Sequence, residues 1–258
     1  MTFIDTHTHL YLDAFDEDRT EVFKRAQTAG VKYMLLPNID SSSIARMDDS
    51  CRNFPEQCFP MMGLHPGSVK EDYKKELEIV SAALDSKKHI AIGEIGMDLY
   101  WDKTFRQQQE EVFRTQIGWA IDRHLPIVIH ARDSFDEIYN VVSEMNCDEL
   151  TGVFHCFTGN KEQADKMLSL GGFKLGIGGV LTFKNASLDE VVQHIDIEHL
   201  LLETDSPYLA PAPYRGKRNE SSYIPLIAEK LAAAKNVSVD EVAKQTTENA
   251  IELFKLPG

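Results

Sequence analysis

The chain has 258 residues, 43% hydrophobic and 26% charged, which suits a soluble globular protein and is long enough for one α/β barrel. Its net charge of −14, from 41 acidic against 27 basic residues, excludes a protein that coats nucleic acid through a broad basic surface. It leaves room for an enzyme that grips a few phosphates locally with the help of bound cations. No stretch approaches the ~18 apolar residues of a membrane span, so no membrane partner is expected. The first residues lack a basic run followed by an apolar one, and a cytoplasmic location is expected. The four cysteines (Cys51, Cys58, Cys147, Cys156) form no Cys-x-x-Cys pair and read as buried free thiols.

Phe3-Ile-Asp-Thr-His7-Thr-His9 reads as a first buried strand running into a His-x-His. On a strand, residues i and i+2 share a face, so His7 and His9 would present two imidazoles to one place. Asp16 to Ala29 is helical and ends at Gly30, a C-cap signal. Lys32 to Asn38 reads as a second strand, Ser41 to Asn53 as a helix, and Phe59 to Pro66 as a third strand closing on His65. A helix from Asp72 to Leu84 leads to a fourth strand, Ile90 to Glu94. Then come a helix over Phe105 to His124, a fifth strand from Pro126 to His130 and a helix over Ser134 to Met145. The sixth strand is Gly152 to His155, followed by a helix over Lys161 to Leu170 and a seventh strand from Gly172 to Gly178. A helix near Leu188 to His194 precedes the eighth strand, His199 to Asp205, and helices over Tyr223 to Lys235 and Ser238 to Phe254 finish the chain.

Eight short apolar strands alternating with helices predict a parallel sheet, and at this length an α/β fold of the (β/α)8 TIM-barrel type, a single domain over residues 1–258. An open doubly wound sheet would usually carry a Gly-rich loop after the first strand, where Thr8, His9 and Leu10 stand instead. Active sites of such barrels lie at the C-terminal ends of the strands. His7, His9, Glu94, His130, His155 and Asp205 all fall there, so six metal-capable side chains would converge on one mouth. Six ligands exceed the needs of one catalytic zinc and fit a binuclear site whose cations lie ~3.5–4 Å apart. Glu94 is the expected bridge, with His7, His9 and Asp205 on one cation and His130 and His155 on the other. The donor set suits two divalent ions, Mg²⁺, Mn²⁺ or Zn²⁺, without ranking them. The class of chemistry is metal-assisted hydrolysis, Glu94 and Asp205 being the catalytic carboxylates, with Asp205 taking a proton from the attacking water.

The chain resembles the TatD family of metal-dependent deoxyribonucleases, among the amidohydrolase-like barrels. The matching segments are Phe-Ile-Asp-Thr-His-Thr-His (3–9), Gly-Leu-His-Pro (63–66), Ile-Gly-Glu-Ile-Gly-Met-Asp (92–98), Pro-Ile-Val-Ile-His-Ala-Arg-Asp (126–133), Phe-His-Cys-Phe-Thr-Gly (154–159), Leu-Leu-Glu-Thr-Asp-Ser-Pro-Tyr-Leu (201–209) and Arg-Gly-Lys-Arg-Asn-Glu (215–220). The resemblance implies Mg²⁺-supported hydrolysis of DNA, often exonucleolytic from the 3′ end, with the same six residues at the metals; single-stranded 3′ ends are the expected partner, and no obligate protein partner is inferred. Tyr11 stands where many relatives have an acidic residue, and Leu99 where they often have an aromatic one, which puts substrate contacts there in doubt.

Other residues admit two readings each. His65 either reaches a substrate phosphate or caps a strand end. Arg132 aims a guanidinium at a phosphate or pairs with Asp133 or Asp136. Arg215, Lys217 and Arg218 form the one basic cluster near the eighth strand, either a substrate contact through Arg218 or a solvated loop. Glu203 shares a face with Asp205 in a regular strand and either orients a histidine or is a satisfied buried carboxylate. Tyr100 and Trp101 read as cleft lining or as packing. Cys156 is expected to alternate away from His155, and His89, His124, His194 and His199 to be caps or surface residues. The alternative enzymatic reading is an amidohydrolase or esterase attacking a small-molecule carbonyl, a class that often bridges its metals with a carboxylated lysine where Glu94 stands. A non-enzymatic binding module is a third, disfavoured by Asp205, since pure binding needs no proton acceptor.

Overall fold

A computed structural model describes residues 1–258. The strands are β1 (Phe3–Asp5), β2 (Val31–Pro37), β3 (Cys58–Met61), β4 (Ile92–Asp98), β5 (Ile127–Arg132), β6 (Gly152–Phe154), β7 (Phe173–Ile177) and β8 (Leu200–Leu202). Between and after them run α1 (Arg19–Thr28), α2 (Ile44–Asn53), α3 (Tyr73–Ser86), α4 (Arg106–Arg123), α5 (Phe135–Met145), α6 (Lys161–Leu168), α7 (Leu188–His194), α8 (Ile224–Lys235) and α9 (Val239–Phe254). All neighbouring strands pair in parallel, β1 to β3 in one run and β4 to β8 in another. The two seams are closed by single parallel bridges, Met62 with Ile92 and Thr8 with Ser206. Beside the second seam, Thr6 N–H donates to the Leu202 carbonyl at 3.1 Å and Asp205 N–H to that of His7 at 2.9 Å. The result is the expected (β/α)8 barrel. No helix is long and apolar enough to cross a membrane.

Alternation along the strands sorts the core. Ile127 and Ile129 of β5 face the helix layer, while Val128 points inward with Ile4, Leu35, Val153 and Leu201. α9 adds Ala250, Leu253 and Phe254 to this inner cluster. The inward phase of β5, β6 and β8 carries forward from Val128, Val153 and Leu201 to His130, His155 and Glu203. Parity alone therefore aims these three side chains into the barrel mouth.

The strand ends differ from the expected ones. β1 stops at Asp5 and β8 at Leu202, so His7, His9, Glu203 and Asp205 all stand on the loops beyond. Asp205 has a φ of 56°, which no strand residue adopts. β3 stops at Met61, and His65 instead caps a 3₁₀ turn over Pro66–Ser68. β4 runs past Glu94 to Asp98, so Glu94 lies inside its strand. Ile92 and Ile95 both face the helix layer although they are three apart, and the pairing register shifts between them. That irregularity breaks the alternation and frees Glu94 to point inward. Gly96, at φ 140°, lets β4 press against the β5 backbone, where a Cβ would strike the His130 carbonyl.

Candidate metal centre and cleft

Glu94 is 3% exposed and lies at the centre of the mouth, its two oxygens facing two different groups of imidazoles. Oε2 lies 3.2 Å from His7 Nε2 and 3.5 Å from His9 Nε2. Oε1 lies 2.9 Å from His130 Nδ1, 3.2 Å from His155 Nε2 and 3.5 Å from His65 Nε2. Asp205 Oδ1 stands further off, 3.7 Å from His9 Nε2 and 3.9 Å from His7 Nε2. The structure thus brings all six expected ligand residues together, and adds His65.

Hydrogen bonds decide which nitrogen of several rings carries its proton. Tyr11 hydroxyl donates to the Pro37 carbonyl at 2.6 Å, so at 3.0 Å it accepts from His9 Nδ1. That leaves a lone pair on His9 Nε2, facing Glu94. His155 Nδ1 lies 3.2 Å from Glu203 Oε1, which leaves its Nε2 towards Glu94. His65 is the reverse case. Its Nδ1 accepts from Gly67 N–H at 2.9 Å, so the neutral ring carries its proton on Nε2, the atom that faces the site.

The charges follow from this crowding. Burial favours protonating Glu94, but the imidazoles around it outweigh that and hold its pKa well below the carboxylate range. Burial and the neighbouring His155 push His7 well below the usual histidine value. Burial also opposes charge on His155, yet Glu203 and Glu94 carry its pKa well above normal. Burial keeps His65 low, and raises Asp205 to about 6. Acceptor atoms therefore face one another: the His9 Nε2 lone pair looks at a Glu94 oxygen, and His155 must take up a proton to coexist with another. His7 Nδ1 is buried with no partner at all. A donor set of this kind would be completed by cations: His7, His9 and Glu94 are compact enough to hold one, and Glu94 with His130 belongs to a second compact group in which His65 faces the site as a donor and not as a ligand.

Behind these residues lies a supporting layer. Glu203 is fully buried, accepts from Cys156 N–H as well as facing His155, and fits because Gly176 has no side chain to strike it. Asp98 Oδ2 is 3.1 Å from His130 Nε2. Asn219, also fully buried, donates from Nδ2 to the carbonyls of Thr204 and Tyr208, each at 2.7 Å, and so pins the loop that carries Asp205. Two buried glutamines of α4 clamp the other side. Gln116 holds both backbone groups of Leu64, next to His65, and Gln109 both of Asp98. Sequence reasoning missed these amides, although a polar residue in the apolar phase of a helix is a readable signal.

The cleft above is a cavity of about 660 Å³ whose rim includes Trp101, Arg132, Tyr208 and Leu209. Arg132 pairs with neither Asp133 nor Asp136; its guanidinium lies 4.1 Å from the Tyr100 ring centre and 5.1 Å from that of Trp101. Trp101 is 75% exposed, Tyr208 53% and Tyr100 52%, so these rings are surface, not packing.

Several expectations are overturned. Arg218 does not line the cleft: it is bidentate on Asp18 at 2.7 and 2.8 Å and also donates to the Ala14 carbonyl. Arg215 and Lys217 lie over Phe183 and Tyr214 instead of beside a carboxylate. Tyr11 and Leu99 are buried and touch no open space, so neither is a substrate contact. Cys156 takes a φ of 46°, leaves the strand alternation and lines the cleft, with burial pushing its thiol pKa far up. His89, expected to be a cap or surface residue, is 3% exposed. Of the cysteines only Cys58 is buried, and all four are free.

A family model described as TatD related DNase matches residues 4–255. A metal-dependent hydrolase of Bacillus subtilis, YabD, is 38% identical over 98% of both chains. A protein of Erwinia tasmaniensis named as the 3′-5′ ssDNA/RNA exonuclease TatD is 30% identical, covering 98% of this chain and 99% of its own. The crystal structure of YjjV, a TatD homologue from Escherichia coli, superposes with a TM-score of 0.93 at 29% identity, covering 99% of this chain and 98% of its own.

Proposed function

The chain belongs to the family of TatD-related DNases and is a metal-dependent hydrolase, and from that premise we propose that residues 1–258 act as one nuclease domain hydrolysing phosphodiesters of single-stranded nucleic acid, DNA foremost, at a binuclear centre. The observation that carries this reading is the division of Glu94, one oxygen towards His7 and His9 and the other towards His130 and His155. A carboxylate so placed would serve two cations, one with each oxygen. Asp205 would complete the first position, and Mg²⁺, Mn²⁺ or Zn²⁺ suit the nitrogen and oxygen donors.

Bound cations would supply an acidified water and neutralise phosphate charge. The chain's own groups do the rest. Asp205, held at its backbone by His7 and raised by burial, accepts the proton of the attacking water at its Oδ1. His65, neutral and protonated on Nε2, donates to a phosphate oxygen. Arg132 places a fixed positive charge on the rim for the next phosphate, and Trp101 and Tyr208 offer exposed faces on which unpaired bases stack. The relative named as an exonuclease on single-stranded DNA and RNA supports the same substrate class and the 3′ polarity.

The test is the metal-stripped protein, reloaded with each cation and offered 3′- and 5′-labelled single-stranded oligonucleotides beside a panel of carboxyl esters and amides. Stepwise loss of 3′ nucleotides is expected. Turnover of the carbonyl panel with none of DNA or RNA would replace this reading with the amidohydrolase one.

A further inference from the structure

We propose that Tyr11 is a positioning residue that fixes the metal-facing nitrogen of His9, and that its neutral phenol makes the two cation positions unequal, the one at His7 and His9 binding a divalent ion more weakly than the one at His130 and His155. The inference rests on the binuclear reading above and deepens it.

Tyr11 is completely buried, and its hydroxyl sits between His9 Nδ1 at 3.0 Å and the Pro37 carbonyl at 2.6 Å. A hydroxyl has one proton to give, and a carbonyl can only accept. The phenol proton therefore goes to Pro37, and His9 must donate from Nδ1. This locks a lone pair on His9 Nε2, turned towards Glu94 Oε2 and 3.3 Å from His7 Nε2. The same wedge fixes the ring's direction, because Pro37 ends β2 and is held in the barrel wall.

What stands behind each imidazole then differs across the site. His155 has the Glu203 carboxylate behind Nδ1 at 3.2 Å, and His130 has Asp98 behind Nε2 at 3.1 Å. His9 has only a phenol, and His7 Nδ1 has no partner. A carboxylate behind a ligating imidazole raises its basicity, and loss of such a partner commonly costs about 10–100-fold in metal affinity. Glu94 serves both positions equally, one oxygen each. Asp205 adds a charge on the weaker side, but its Oδ1 stands 3.7 and 3.9 Å from the two nitrogens and does not close the set as tightly as Glu94 does. The imbalance in backing groups remains.

The experiment titrates Mn²⁺ into the metal-stripped full chain by calorimetry, for the wild type, Tyr11→Phe and Glu203→Gln. Two binding events at least about 10-fold apart are expected in the wild type. Tyr11→Phe should weaken the looser event by about 10-fold or more and leave the tighter one in place, and Glu203→Gln should do the opposite. Histidine ¹⁵N shifts of the unsubstituted metal-free chain should report His9 protonated on Nδ1, which keeps the assignment testable if Tyr11→Phe folds poorly. Two wild-type events of equal affinity, a Tyr11→Phe effect on the tighter event, or His9 protonated on Nε2 would each overturn the proposal. A single event in the wild type would instead overturn the two-cation reading beneath it.

Discussion

The rings of His7 and His155 stack face to face, with centroids 3.6 Å apart and planes within 15°, although one follows β1 and the other follows β6. Their proton affinities are driven in opposite directions, His7 down by burial and by His155, His155 up by Glu203 and Glu94 against burial. Two stacked imidazoles do not both become cations, and in the metal-free chain the directions leave His7 neutral and put the proton on His155. Glu94 is the counter-charge both rings face, Oε2 towards His7 and Oε1 towards His155.

Replacing that counter-charge should dismantle the centre. Glu94→Gln keeps the side-chain shape but removes the charge that, on the proposed reading, would hold both groups of nitrogens to cations. Metal content should fall at both positions, and activity by about 10²-fold or more with it. Elemental analysis after dialysis against a defined Mn²⁺ concentration decides the matter. Full occupancy in Glu94→Gln would show that each position holds its cation without a shared carboxylate.

The rim makes a separate prediction about binding. Trp101→Ala removes an exposed stacking face and also one of the two rings over which Arg132 lies. Base–aromatic stacking contributes ~1–3 kcal/mol per base, so KM for an oligonucleotide should rise about 5–150-fold. Turnover of a small phosphodiester without bases should change little. Equal losses on both substrates would mean that Trp101 supports the centre and not the substrate.

His89 makes a prediction about acid stability that is independent of the site. Burial, with help from Lys87, lowers its pKa to about 4. The ring is thus neutral in the fold, while in the unfolded chain it takes a proton near pH ~6.5. Between these values the unfolded state binds more protons, so stability is full above pH ~6.5, falls as the pH drops towards 4, and changes no further through this group below that. The loss is on the order of 3 kcal/mol. His89→Phe fills similar space without a titrating group, and urea midpoints measured from pH 7 to 4 should fall less steeply than in the wild type. Parallel curves would show that His89 does not set the acid slope.

The strand and helix order was readable because each strand is a short apolar run bounded by turn residues, and the metal-capable residues were readable because each closes such a run. Parity explained His130, His155 and Glu203 outright. It failed at Glu94, where the register shift in β4 overrides alternation, and at Asp205, which lies beyond the end of β8 with a left-handed φ. Arg218 was misplaced for a different reason. A basic residue near a barrel mouth reads as a phosphate contact until its partner is known, and Asp18, two hundred residues away in sequence, is visible only in the fold. The partners of Tyr11, Gln109 and Gln116 were hidden for the same cause, since each side chain acts through a pair of hydrogen bonds that only the fold brings together.

Asp205 carries the most demanding prediction. Its Oδ1 stands further from the His7 and His9 nitrogens than Glu94 Oε2 does, its side chain is 15% exposed and faces the cleft, and burial raises its pKa to about 6. Those are the properties of a proton acceptor more than of a tight ligand. Asp205→Asn keeps the shape and one oxygen while removing the basicity. The fold should hold, because Asn219 and the His7 carbonyl fix this loop through its backbone, and loss of a buried charge near Glu94 relieves repulsion in the metal-free chain. Catalysis should fall by about 10²–10⁴-fold. In the wild type the rate should drop on the acid side as the carboxylate takes up a proton, and in Asp205→Asn that limb should disappear. Single-turnover cleavage of a 3′-labelled oligonucleotide, followed across pH and across a Mg²⁺ titration, separates the two roles. A pure ligand defect recovers towards wild-type rates at saturating Mg²⁺; a lost base does not. Recovery would therefore demote Asp205 to a ligand and leave water activation to the cations alone.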